Sequence, residues 1–167
     1  MNPRTIFRPL LVSLAALGIS AGLYTRAQAG GGHYFPPVQD PATLAECGSC
    51  HLAYPASMLP AAAWQKMMGE LNQHFGEDAS LDPQTTAAIT RYLMANAGDA
   101  AGSAYGRKLL RGVAVGAAPQ RITTLPTWVQ EHRKVPKTDW SKPEVGSKAN
   151  CAACHQDAER GYFDDDN

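Results

Sequence analysis

Apolar positions recur at helical spacing most regularly between residues 61 and 75. Trp64, Met67, Met68, Leu71, His74 and Phe75 stand at i, i+3, i+4, i+7, i+10 and i+11, so they share one face and predict a helix over that stretch. Pro60 suits its first position and Gly76 its end. On this reading His74 projects from the buried face. A second helix is predicted from Asp82 as N-cap and Pro83 in the first turn, running to about Asn96 with Ile89, Tyr92 and Leu93 on one face. Gly98 marks its end. A weaker candidate covers 103–111, and 112–123 reads as a loop. Pro126 opens a short helix in which Trp128, Val129 and His132 share a face, and Pro136 stops it.

Two more short helices are expected. One follows Pro41, with Thr43 as its cap, and carries Cys47; the other starts at Ser147, runs through Cys151 to His155 and stops before Gly161. The Gly- and Pro-rich stretch 30–42 looks extended. Period-two alternation is weak, with only 112–115 and 121–125 able to pair briefly. The expected fold class is therefore all-α, a small helical fold with long loops.

Composition changes that picture in one respect. Phe, Ile and Val are sparse, Ala and Gly abundant, and there are twelve prolines, so the chain has a limited apolar core of its own. The N-terminal segment is of a different kind. Arg4 and Arg8 precede an apolar run over 10–23, followed by Ala27-Gln28-Ala29. This reads as a secretory signal over 1–29, cleaved after Ala29, with a run too short for a spanning helix. The mature chain, 30–167, then carries twelve Lys and Arg against fifteen Asp and Glu, a balance of −3. A nucleic-acid partner is disfavoured, no membrane insertion is expected after cleavage, and the expected location is the periplasm. Such a length makes one small domain or two lobes, about 30–100 and 101–167.

All four cysteines fall in two C-x-x-C-H pentapeptides, Cys47 to His51 and Cys151 to His155. Two thiols at this spacing can form thioethers to the two vinyl groups of one porphyrin, and the following histidine can reach its iron. A zinc site or short-loop disulfides would explain the cysteines but not the histidines. The candidate cofactors are two covalently attached haem c groups. They would supply much of the missing core, and the apoprotein is expected to fold poorly.

The other axial positions draw on few residues. Beyond His51 and His155 the chain has His33, His74 and His132. His74 and His132, on apolar helical stripes, are the candidate distal ligands; nearness in sequence suggests His51 with His74 and His155 with His132, crossed pairing being the alternative. His33 reads as solvated. Met67 and Met68 read as core, and Met58 is the one methionine kept as a rival ligand. Trp64, Trp128 and Trp140 read as packing against porphyrin. The basic clusters Arg107, Lys108, Arg111 and Arg133, Lys134, Lys137 suit propionates, an acidic partner or a solvated face; Asp164 to Asp166 read as a loose tail.

Several segments also carry a resemblance. Glu46 to His51 with Ala53-Tyr54-Pro55 and Leu59-Pro60, Trp64 with His74 to Glu77 and Ala79 to Asp82, and Asn150 to His155 with Ala158 to Gly161 are similar to the small periplasmic dihaem cytochromes c of the DHC type. The resemblance covers nearly the whole mature chain. It implies a soluble electron carrier with two bis-histidine haems, one that reduces an oxygen-binding monohaem cytochrome, the sphaeroides haem protein, and is linked to membrane b-type cytochromes. An electron-transfer subunit of a periplasmic reductase, such as a nitrate reductase, is the alternative. A dihaem peroxidase or gas sensor is disfavoured, because two distal histidines leave no five-coordinate iron.

Overall fold

The computed structural model describes residues 33–164, and the signal segment read over 1–29 lies outside the described residues. Within them the chain forms five short α-helices joined by loops and single 3₁₀ turns: α1 Pro41–Cys47, α2 Ala61–Gly69, α3 Pro83–Ala95, α4 Ala104–Leu109 and α5 Pro126–Glu131. Extended pairing among the described residues is limited to two isolated bridges, Tyr34 with Tyr162 and His74 with Glu77. The two strand-like stretches do not pair. The fold class is all-α.

The helices start where short-range chemistry says they should. Asp82 caps α3 by accepting from the Gln84 and Thr85 amides, with Pro83 at the first position. In α1 the cap is Asp40 rather than Thr43. Its carboxylate accepts from the Thr43 amide and hydroxyl, both at 2.8 Å. Thr43 is instead inside the helix and buried.

The stripe over 61–75 does not form one helix. The α-helix ends at Gly69, Glu70 leaves the helical basin, and Leu71–Gln73 make a 3₁₀ turn. Gly69 contributes little helix propensity. The Leu71 carbonyl turns back to accept from the Ala79 amide at 2.9 Å. Phe75 at φ +55° and Gly76 at φ +107° then reverse the chain. His74 therefore stands in a turn beyond the helix. The segment from Ser147 also differs, since only Cys151–Ala153 form a 3₁₀ turn. Here Ser147 and Asn150 side chains bond nearby backbone groups and compete with helix formation.

The core is built on α3, which packs against α1 and α2. Ala63, Trp64 and Met68 meet Leu59, Ile89 and Leu93 in one buried cluster that extends to Leu109, Leu125 and Trp128. Helix α4 packs on the 3₁₀ turn Ala56–Met58 and on α5. It comes close because two glycines face each other: a Cβ on Gly106 would collide with the Gly98 Cα and lie 2.7 Å from the Ser57 carbonyl oxygen.

The expected extended start behaves as a strap. Phe35 and Val38 are buried. The Phe35 amide donates to the Gly161 carbonyl at 2.8 Å, and the Phe163 amide to the His33 carbonyl at 3.0 Å. The start of the described chain is thus tied to its end.

Candidate functional site

The first C-x-x-C-H motif begins on the last residue of α1 and continues through a turn. Cys47 is half-buried, whereas Cys50 and His51 are exposed. The His51 Nδ1 lies 2.7 Å from the Leu52 carbonyl oxygen. A carbonyl only accepts, so Nδ1 carries the proton and Nε2 keeps its lone pair for a metal. Across from it stands His74, with ring centroids 6.1 Å apart and planes 22° from parallel. Burial, and secondarily the neighbouring His51, holds His74 below the usual histidine range and favours its neutral form.

Both rings are held by aromatic neighbours. Tyr54 stacks on His51 at 5.0 Å, and Phe75 meets His74 edge-on at 4.8 Å. The Arg121 guanidinium lies 4.1 Å above the Phe75 ring, a cation–π contact on the residue that adopts the left-handed backbone.

The second motif opens on a cavity of 530 Å³ whose lining includes Cys151, Cys154, His155, His132 and Met58. His132 follows α5, its Nδ1 2.9 Å from the Trp128 carbonyl oxygen and its ring stacked on the Trp128 indole at 4.1 Å. The His155 Nδ1 faces the Asp164 carbonyl oxygen at 3.4 Å. These contacts again direct each Nε2 away from the backbone. The His132 and His155 centroids are 6.1 Å apart, with planes at 78°.

Lys108, Arg133, Lys134 and Lys148 line the same cavity, a cationic set suited to carboxylates. His33 lies there too, half-buried rather than solvated. Its Nε2 accepts from Lys108 Nζ at 2.7 Å and lies 3.4 Å from Glu131. Asp164, expected in a loose tail, accepts from the His33 amide at 2.6 Å. Met58 is buried in the cavity wall, and Trp140 tilts against Trp128. Val129, expected beside Trp128 and His132, is exposed.

The donor set can be tested against the group it would hold. Two metal–imidazole bonds of about 2 Å and two ring radii of about 1 Å put the centroids of imidazoles on opposite sides of one iron about 6 Å apart. Both histidine pairs match that spacing. None of the four cysteines forms a disulfide, so each is available for a thioether bond. Burial raises the thiol pKa of Cys47 and pushes that of Cys151 up to about 11, so both are protonated at neutral pH. Among the described residues no cluster of three or more His, Cys, Asp and Glu could hold a bare metal ion. Paired imidazoles beside paired thiols fit haem better than zinc.

Some of these residues carry no sequence signal as functional ones. The Asp164 and Leu52 carbonyls are backbone groups, and Tyr54 was visible only as part of a resembling segment. The Trp128–His132 stack, in contrast, follows from i, i+4 spacing.

A helical fold enclosing two C-x-x-C-H motifs, each beside a histidine pair, defines the class of multihaem c-type cytochromes. The dihaem cytochrome c family matches residues 43–163. A dihaem cytochrome c structure from Rhodobacter sphaeroides is similar at 46% identity, covering 77% of this chain and 99% of that one with a TM-score of 0.70. The DHC purified from the same organism matches at 42% identity, 76% and 99% coverage and a TM-score of 0.64. The dihaem cytochrome sb-DHC of Shewanella baltica OS155 matches at 39% identity, 76% and 89% coverage and a TM-score of 0.62. No curated protein matches the chain. The chain belongs to the dihaem cytochrome c family, and is a haem-based electron-transfer cytochrome with two haem c groups.

Proposed function

We propose that this protein is a periplasmic carrier of single electrons in which each haem iron takes two imidazoles, His51 with His74 and His155 with His132. The observation that carries the reading is the pair of equal centroid distances, 6.1 Å in each case. Bound haem supplies the reversible one-electron chemistry, and the chain attaches, orients and shields it. Cys47 and Cys50 anchor one haem, Cys151 and Cys154 the other. The Leu52, Trp128 and Asp164 carbonyls hold three Nδ1 protons, which keeps the Nε2 lone pairs directed at the metals. Two imidazoles directed at each metal would leave no place there for substrate, which favours a carrier over an enzyme.

The export signal supports the periplasmic location. The resemblance to DHC-type cytochromes supports an oxygen-binding monohaem cytochrome as redox partner on one side and a membrane b-type cytochrome on the other, with no nucleic acid involved.

Absorption and electron paramagnetic resonance spectra of the oxidised holoprotein test the ligation. Two low-spin bis-histidine signals are expected, and they should differ, because one pair of ring planes is 22° apart and the other 78°. High-spin iron, or a sulfur-to-iron charge-transfer band, would sink the reading at that centre.

A further inference from the structure

Tyr54 touches both haem-attachment segments. Its ring lies 24° from parallel with the His51 imidazole. Its hydroxyl donates at 2.6 Å to the carbonyl of Ala149, 95 positions along the chain. That carbonyl also accepts from the Cys151 amide at 3.0 Å, so a phenol just past the first motif and the backbone of the first cysteine in the second share one acceptor.

The segment that presents this carbonyl is braced from within. The Ala149 amide donates to Ser147 Oγ at 3.2 Å, and Asn150 Nδ2 donates to the Val145 carbonyl at 3.1 Å. These contacts satisfy the local backbone and leave the Ala149 oxygen facing the phenol. A carbonyl oxygen only accepts, so the Tyr54 hydroxyl is the donor in this bond.

We propose that Tyr54 is a positioning residue shared by the two centres: its ring sets the plane of the His51 imidazole, and its hydroxyl holds the second attachment segment against the first. Two centres that exchange electrons need a fixed separation, and neither motif can define it alone. A side chain that stacks on a candidate ligand of one and hydrogen-bonds beside an attachment cysteine of the other supplies one direct constraint on it. The proposal rests on the bis-histidine reading only for the role of the ring.

The test uses the holoprotein with Tyr54→Phe and Tyr54→Leu, read by amide hydrogen exchange over residues 147–151 and by the resonance spectrum of the oxidised form. Phenylalanine keeps the ring and removes the donor. It should speed exchange about fivefold, the loss of one neutral hydrogen bond, and leave both low-spin signals in place. Leucine removes the ring as well, so it should add a shift confined to the signal of the near-parallel pair, a change that loosening of a loop would not produce.

Wild-type exchange in the phenylalanine variant, or an unshifted signal in the leucine variant, overturns the proposal. If leucine blocks maturation, the phenylalanine variant still decides whether the hydroxyl holds the second segment, and wild-type exchange there overturns the proposal. Failure of the ligation reading is distinguishable, since it would show in the wild-type spectrum, whereas the exchange comparison does not depend on the axial ligands.

Discussion

An imidazole that is to bind a metal needs its second nitrogen held, and among the candidate ligands the holders differ in how far they lie along the chain. His51 uses the next residue's carbonyl and His132 that of Trp128, four positions back, while His155 uses Asp164. The first two were accessible to short-range reasoning. The third depends on the chain folding back after Gly161, which no local pattern announces. His74 itself was legible as a candidate, but by way of a helix that ends five residues before it. Replacing His74 or His132 by Ala should leave both haems attached, since the cysteines are untouched, and convert one of the two irons to high spin. His33→Ala should leave both low-spin, because its Nε2 is already engaged as the acceptor for Lys108 Nζ. Absorption and resonance spectra read all three variants, and an unchanged spectrum for His74→Ala or His132→Ala would remove that residue from the ligands.

Among the elements, α3 was read almost to the residue because its signals are local: an Asp cap, a proline in the first turn and apolar residues three and four apart. The Asp82 carboxylate accepts from the Gln84 and Thr85 amides at 2.9 and 3.0 Å, and hydrogen bonding with Thr85, side chain and amide, ahead of that with Gln84, holds it below its ordinary pKa of 3.8. A depressed carboxylate stabilises the fold above its unfolded pKa and loses that contribution as pH falls through the lower, folded value. Asp82→Asn keeps a capping oxygen but has no charge to titrate. Denaturant unfolding from about pH 6 down to about pH 2 should show a smaller loss of stability in the variant than in the parent; equal losses would remove Asp82 as a source of the acid dependence. The α2 segment was over-read for the opposite reason. Its apolar stripe continues past Gly69, but the backbone follows the hydrogen bond from Ala79 to Leu71.

At the scale of the whole molecule, residues 33–38 close the fold by lying along the C-terminal segment. The crossing is tight at Gly161, which adopts φ +87°. A Cβ there would run into the Phe35 carbonyl oxygen and lie 3.1 Å from Pro37 Cδ. Gly161→Ala therefore combines left-handed backbone with steric overlap and should cost about 2–3 kcal/mol, read as a lower denaturant midpoint of the holoprotein. A midpoint shift worth less than about 0.5 kcal/mol would show that the strap is not held there. The same crossing brings His33 and Asp164 to the second cavity, so loosening it should reach the His155 hydrogen bond. Composition had signalled the strap as Gly- and Pro-rich and extended. It could not signal that Phe35 and Val38 are buried, because burial belongs to the partner segment as much as to the strap.

The amino-acid sequence by itself determined the two attachment motifs, the short list of histidines able to complete them, the all-α class and the bounds of α3. Each is written within a few consecutive residues, in thiol spacing, helical period or capping chemistry. The tertiary structure decided which histidines face each other, the differing tilt of the two imidazole pairs, the turn that carries His74 and the link from Tyr54 to Ala149. The turn closes through the bond from Ala79 to Leu71; the other relations join residues between 23 and 95 positions apart, and they are set by where the chain path and the buried core allow side chains to meet.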